Sequence, residues 1–270
     1  MSLSGLADDD TAAPPWHGSG FTATLRREWL LLTRDRAGLL LAAVPAAVYV
    51  ALLATSLADL VGTVTYRGRI LDYPDFVVPG LVFAALLGAA TATGTALCRE
   101  RAAGMALELL SYPLTRWQYV AGKLLAGSAL VFGQAVAALA VSAALFGSRW
   151  PAERWAALLC GLLLAALAFN ALGLLLGTVV RERRRYGVLV NVLVPVLLFG
   201  SPAFYPVEHL GPVQRVLADV NPVSHGVAAL RAALLDGFAG AWPHLVLLGA
   251  VAVVAAAGAG RRLVREFRAL

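Results

Sequence analysis

The sequence predicts an all-α integral membrane protein with six transmembrane helices, and three observations carry that prediction. Hydrophobic residues make up 60% of its 270 residues and charged residues only 14%; with a mean hydropathy of +0.76, this is outside the range of ordinary soluble domains. Six stretches contain no Asp, Glu, Lys or Arg and are close to or above the ~20 residues a helix needs to cross a hydrocarbon core. The 22 Lys and Arg residues divide 16 to 6 between alternate inter-span segments, the asymmetry of a polytopic chain threaded with its basic loops in the cytoplasm.

In chain order, residues 1–20 are acidic and rich in Gly and Pro. They predict a disordered N-terminal tail, the opposite of a signal peptide's basic start and apolar middle. Residues 21–36 put Phe21, Leu25, Trp29 and Leu32 on one helical face and Arg26, Arg27 and Arg34 largely on another. That pattern fits an interfacial helix leading into the membrane. The spans follow at about 37–58, 77–97, 124–147, 155–180, 188–206 and 241–260, so residues 21–270 form one transmembrane domain. Both termini and the segments 99–123 and 181–187 fall on the cytoplasmic side of the inner or plasma membrane.

Residues 205–240 are too apolar for a solvated loop, yet Pro206, Gly211, Pro212, Asn221, Pro222 and Gly237 break them. The apolar pieces, about 209–220 and 223–236, are too short to span, and we read them as a re-entrant hairpin before the sixth span, at its outer end. Backbone broken at that depth must be sheltered by protein or line a cavity. Arg231 inside it needs carbonyls or head groups around it, because an unpaired charge there is costly. Gly88, Ala92 and Thr95 in the second span and Gly173 and Gly177 in the fourth mark close helix packing. Pro45, Pro79, Pro195 and Pro202 mark kinks, and Asn170 and Asn191 are read as interhelical hydrogen-bonding groups.

The chemistry is notable for what it lacks. His17, His209, His225 and His244 show no metal-site spacing, and no nucleophile constellation is visible. Gly122-Lys123 is not a phosphate-binding loop, since Leu124 follows it and Trp117 stands where the first glycine belongs. Cys98 and Cys160 read as packing residues. The reading is of a subunit that is not an enzyme and binds no metal or cofactor. The topology accounts for the net charge of +6 without nucleic acid. No span carries the buried ionisable relay of an ion-coupled carrier, so energy for uphill transport must arrive from a partner through a cytoplasmic contact. Residues 99–123 fit that contact. Ala102, Met105, Ala106 and Leu109 recur at helical spacing, with Glu100, Gly104 and Glu108 on another face, before Pro113 stops the helix. Trp117 and Tyr119 are placed as interface anchors. The competing reading is a secondary transporter or channel subunit with no ATPase.

Two stretches resemble one family. "CRERAAGMALELLSYPLTRWQYVAGK" is similar to the Glu-rich segment of ABC type-2 permeases, the membrane subunits of ATP-driven exporters. Glu100, Gly104, Glu108, Pro113, Arg116, Gly122 and Lys123 match it, while Met105 stands where the family has Thr. "SPAFYPVEHLGPVQRVLADVNPVSHGVAALRAALLDG" resembles the family's closing signature through Tyr205, Pro206, Asn221, Pro222, Arg231 and Gly237. The resemblance implies a dimer of six-helix subunits in membrane lipid, a homodimer here, with two nucleotide-binding ATPase subunits that hold the ATP and magnesium. It makes the segment after the second span the coupling helix, with Glu100, Gly104, Met105, Glu108, Leu109, Leu110, Pro113, Arg116 and Lys123 on the ATPase side. Tyr205, Pro206, Asn221, Pro222 and Arg231 then belong to an outer gate. Short outer loops resemble the drug-resistance and polysaccharide-export branches, so the expected cargo is a hydrophobic drug or a lipid-linked glycan moved outward.

Overall fold

The computed structural model describes residues 60–104, 116–146, 150–206 and 211–266, with Thr22, Leu25, Arg26, Arg27, Trp29, Leu30, Val48 and Ser56 before them. The first predicted span, residues 37–58, lies outside the described residues except for Val48 and Ser56. So does most of the 21–36 helix, although Thr22, Leu25, Arg26, Arg27, Trp29 and Leu30 are helical.

One element departs from an all-helical reading. Strands β1 (Thr63–Tyr66) and β2 (Arg69–Asp72) pair antiparallel across a tight turn at Arg67 and Gly68, with Thr65 opposite Ile70. Both turn residues have positive φ, as the twist of a two-residue hairpin requires. Each strand is only four residues long, too short to register in a search for spans.

The second predicted span is two helices, α1 (Tyr73–Ala90) and α2 (Ala92–Ala102), broken at Thr91. The break falls at a threonine and not at Pro79, which sits inside α1. Then come α3 (Arg116–Phe146), α4 (Ala152–Val179) and α5 (Arg183–Phe199). The fifth helix therefore begins and ends earlier than the predicted 188–206, and Gly200 to Tyr205 form turns. Helix α6 (Pro212–Val220) leads through Asn221 into α7 (Pro222–Glu266). Gly237 interrupts α7 with φ 64° and ψ −147°, a conformation only glycine holds without strain. Four helical stretches among the described residues are long and apolar enough to cross a membrane: Tyr73–Ala102, Trp117–Phe146, Ala152–Val179 and Pro222–Arg265.

The most extensive packing is α7 on α4. The two run parallel, since Gly161 meets Leu245 and Gly258 meets Leu175. The first limb of α7, residues 222–236, is buried among the other helices: Val223, Val227, Ala229, Leu230 and Ala233 are all closed to solvent. It joins Phe83, Leu86, Leu162 and Phe169 in the main core, where Phe83 and Phe169 meet edge to face at 5.1 Å. The limb is thus sheltered by protein along its length.

Close helix approach uses partly different residues from those expected. Gly173 and Gly177 do pack against the second span, but against Ala90 and Gly94; Gly88 has nothing within 4 Å of where its side chain would be. Asn170 donates to Leu124 O at 3.0 Å and to Ser128 Oγ at 3.1 Å, tying α4 to α3, whereas Asn191 is exposed on α5.

Candidate functional site

The helices separate the charges. The α2 C-terminus, the α3 start, the α4–α5 junction and the end of α7 lie together. They bring Arg99, Arg101, Lys123, Arg181, Arg183, Arg184, Arg185, Arg261, Arg262 and Arg265 to one end of the bundle. The β-hairpin, α6 and Gly237 mark the opposite end, with Arg67, Arg69, Arg154, Arg215 and Arg231.

At the basic end, α2 stops at Ala102 and Gly104 turns left-handed at φ 71°, the usual way a helix terminates. The carbonyls of Arg99 and Arg101 accept the amides of Ala103 and Gly104. Glu100 therefore lies in the last turn of α2. The carboxylate of Glu100 is engaged within its own subunit. Lys123 Nζ donates to Oε1 at 2.9 Å and Tyr119 OH to Oε2 at 2.6 Å, while Arg27 stands 3.8 Å from Oε1. Tyr119, expected as an interface anchor, is buried, and only Trp117 stands half exposed. The pattern that could have revealed the cluster was present in the sequence: Tyr119 and Lys123 are four residues apart, one helical turn, opposite a single glutamate.

The α2 helix is fastened further. Arg101 Nη1 donates to Gly177 O at 2.7 Å and Cys98 Sγ to Val180 O at 3.3 Å. Tyr186 OH lies 3.2 Å from both Thr91 O and Gly173 O. Three helices thus hold the segment that leads out to residues 105–115. Met105, Glu108, Leu109, Leu110 and Pro113 lie outside the described residues, and Arg116 opens α3.

At the opposite end, Asn221 caps α7. Its Oδ1 accepts Val223 N at 2.9 Å and its Nδ2 donates to Leu197 O at 2.6 Å, fixing the hairpin to the end of α5. Pro222 takes the first helical position, where a missing N–H costs nothing. Tyr205 donates its hydroxyl to Phe199 O, and Pro206 follows it at the edge of the described residues. Arg231 is only 1% exposed. It donates to Phe76 O at 3.1 and 3.2 Å, to Pro202 O at 3.2 and 3.3 Å and to Ala203 O at 3.2 Å. Its guanidinium lies 3.9 Å from the Phe76 ring centre and 5.1 Å from that of Tyr66. Carbonyls do hold this charge, as expected, but it is a rivet inside the bundle. Arg69 meets Asp236 at 2.7 Å beside the Gly237 turn, and His225 and His244 face each other across the hairpin with ring centres 6.1 Å apart. No cluster of metal-ligating side chains occurs among the described residues.

Several long apolar helices in one chain define a multi-pass membrane protein. The family follows from the sequence match: residues 19–235 match the ABC-2 type transporter family, and the chain belongs to it. It is an ABC-2 membrane permease. No curated protein matches the chain.

Proposed function

We propose that this chain is the permease subunit of an ATP-driven exporter, that it works as a homodimer of six-span subunits with cytoplasmic termini, and that a separate ATPase supplies the energy. The observation that supports this reading best is the Arg27, Glu100, Lys123 and Tyr119 cluster. It joins the N-terminal helix, the end of α2 and the start of α3, and the last two flank residues 105–115 in the chain. A push on that segment is therefore delivered to three helices together. In this reading Met105, Glu108, Leu109, Leu110 and Pro113 make the ATPase contact, and Glu100 and Lys123 transmit it. The hairpin around Tyr205, Pro206 and Asn221 shapes the outer end of the route, and the cargo is a hydrophobic drug or a lipid-linked glycan.

Co-purification with a nucleotide-binding subunit, followed by ATPase assays of the reconstituted pair, tests the proposal. Leu109→Asp is expected to leave an inserted dimer that no longer recruits or stimulates its ATPase, with docking weakened more than about tenfold. Arg183→Ala is expected to have little effect. Full stimulation with the Leu109 variant would remove the coupling assignment.

A further inference from the structure

The second limb of α7 carries an exposed stripe that changes chemistry at one end. Leu247, Val254 and Arg261 follow one another at seven-residue intervals, close to two helical turns, so they stand in line, and Arg265 lies one turn beyond. Val246 and Val253 run beside them, and all four apolar side chains are exposed, Val254 by 71%. The opposite face is occupied. Leu248, Ala255, Ala259 and Leu263 are buried, and the last two pack with Leu97 and Leu174. This stripe of α7 therefore shows hydrocarbon to its surroundings until it reaches the basic end of the bundle, where it shows arginine.

A tryptophan stands at the level where the chemistry changes. The Trp117 ring lies on the backbone of α7: a Cβ at Gly260 would be 2.2 Å from its Cζ3 and 2.7 Å from its Cη2, so the indole seats there because residue 260 is glycine. Trp117 is still half exposed, and its Nε1 has no hydrogen-bond partner among the described residues. An indole with an apolar body and a free polar tip settles at headgroup depth. Just past it, Arg261, Arg262 and Arg265 are exposed and form no ion pair among the described residues.

Charge decides what covers this face. In a dimer whose two-fold axis runs along the membrane normal, each residue meets partner residues at its own depth, so a second copy here would set arginines against arginines, a costly juxtaposition. A zwitterionic lipid brings an ammonium of its own among the three guanidinium groups. An anionic phospholipid brings none, and its phosphate accepts paired N–H bonds from the planar arginine fork. We propose that the basic end of α7 is an anionic-phospholipid site. Arg261, Arg262 and Arg265 hold the phosphate, the glycerol region lies against the Trp117 indole, and an acyl chain runs along Val254 and Leu247. The site rests on the chain being a membrane protein and not on the exporter reading.

Native mass spectrometry of the purified permease reads the binding directly, with phosphatidylglycerol or phosphatidylcholine of the same acyl chains titrated in neutral detergent. The first phosphatidylglycerol is expected to bind about tenfold or more tightly than phosphatidylcholine. The triple variant Arg261→Gln, Arg262→Gln, Arg265→Gln is expected to bring the two lipids within about threefold while its melting temperature in phosphatidylcholine nanodiscs stays that of the parent. Arg183→Gln with Arg184→Gln, exposed charges at the same end on α5, is expected to change the preference by less than about twofold. Equal affinities in the parent, or an equal loss in both sets of variants, would mean diffuse charge and overturns the site. Inorganic phosphate is expected not to compete, since it has no chain to lay on the stripe; competition at matched concentration would make this a free-anion site. A triple variant that keeps its lipid preference but no longer co-purifies with an ATPase would assign the arginines to that partner instead.

Discussion

Lys123 Nζ stands 2.9 Å from Glu100 Oε1, with 1% of the lysine side chain and 12% of the glutamate side chain exposed. A pair this buried adds little net stability over an apolar pair of the same shape, but breaking it on one side leaves a charge where water cannot reach it. Glu100→Ala is therefore expected to destabilise the fold by about 3 kcal/mol. The double variant Glu100→Gln with Lys123→Met is expected to recover most of the loss. Equilibrium unfolding in nanodiscs measures both, and equal losses in the single and double variants would show that the glutamate acts through Tyr119 alone.

The second prediction concerns Arg231. Its planar fork serves carbonyls on α1 and on the 200–204 turn while its face lies on Phe76. An ammonium is a single point charge on a flexible stem and cannot reproduce that arrangement. Arg231→Lys is thus expected to behave like a truncation, lowering the melting temperature nearly as much as Arg231→Met. Arg69→Ala removes only an exposed partner of Asp236 and is expected to cost less than about 1 kcal/mol. A fully tolerated lysine would mean that charge alone, and not the fork, secures the hairpin.

How legible these features were depends on the range of the interaction. The long apolar helices rest on composition, which is a local sum, and the breaks at Asn221, Pro222 and Gly237 announce themselves by residue type. The break at Thr91 does not, because its long-range partner, the Tyr186 hydroxyl that donates to Thr91 O, comes from a helix distant in the chain. The end of α2 is hidden for a related reason. Helical periodicity continues past Ala102 in the sequence, and only the left-handed Gly104 shows that the helix has ended. The charge of Arg231 was correctly expected to find carbonyls, yet the identities of Phe76 and Pro202 are more than 150 and nearly 30 residues away in the chain, beyond any spacing rule.

The third prediction separates two kinds of glycine. A Cβ at Gly94 would sit 2.2 Å from the Tyr186 hydroxyl, and one at Gly173 would sit 2.4 Å from Ala90 O. Backbone cannot yield as a side-chain tip can. Gly173→Ala is therefore expected to cost about 2 kcal/mol by forcing α4 from α1, and Gly94→Ala to displace Tyr186 and release its bonds to Thr91 and Gly173. Gly88→Ala meets open space and is expected to be neutral or slightly stabilising, since alanine favours helix. Melting curves of the three variants decide this, and a destabilising Gly88→Ala would point to a partner subunit lying against that face.

The last prediction concerns orientation, on which the exporter reading rests. The basic end gathers Arg181, Arg183, Arg184, Arg185, Arg261, Arg262 and Arg265, and the positive-inside rule puts such an end in the cytoplasm. Cys98 is buried and Cys160 partly so, so a background with both replaced by serine removes stray reaction. In that background, cysteines at Gly62 and Gly240, near the β-hairpin and the Gly237 turn, are expected to react with a membrane-impermeant maleimide on intact cells. A cysteine at Arg184, which is exposed, is expected to react only after permeabilisation. Tyr186 would be a poor probe at this end, since it is closed to solvent and would stay silent on either side. Labelling of Arg184→Cys from outside would invert the bundle. The segment after Gly104 would then face away from any cytoplasmic ATPase, and the Glu100 cluster would be a structural clasp alone.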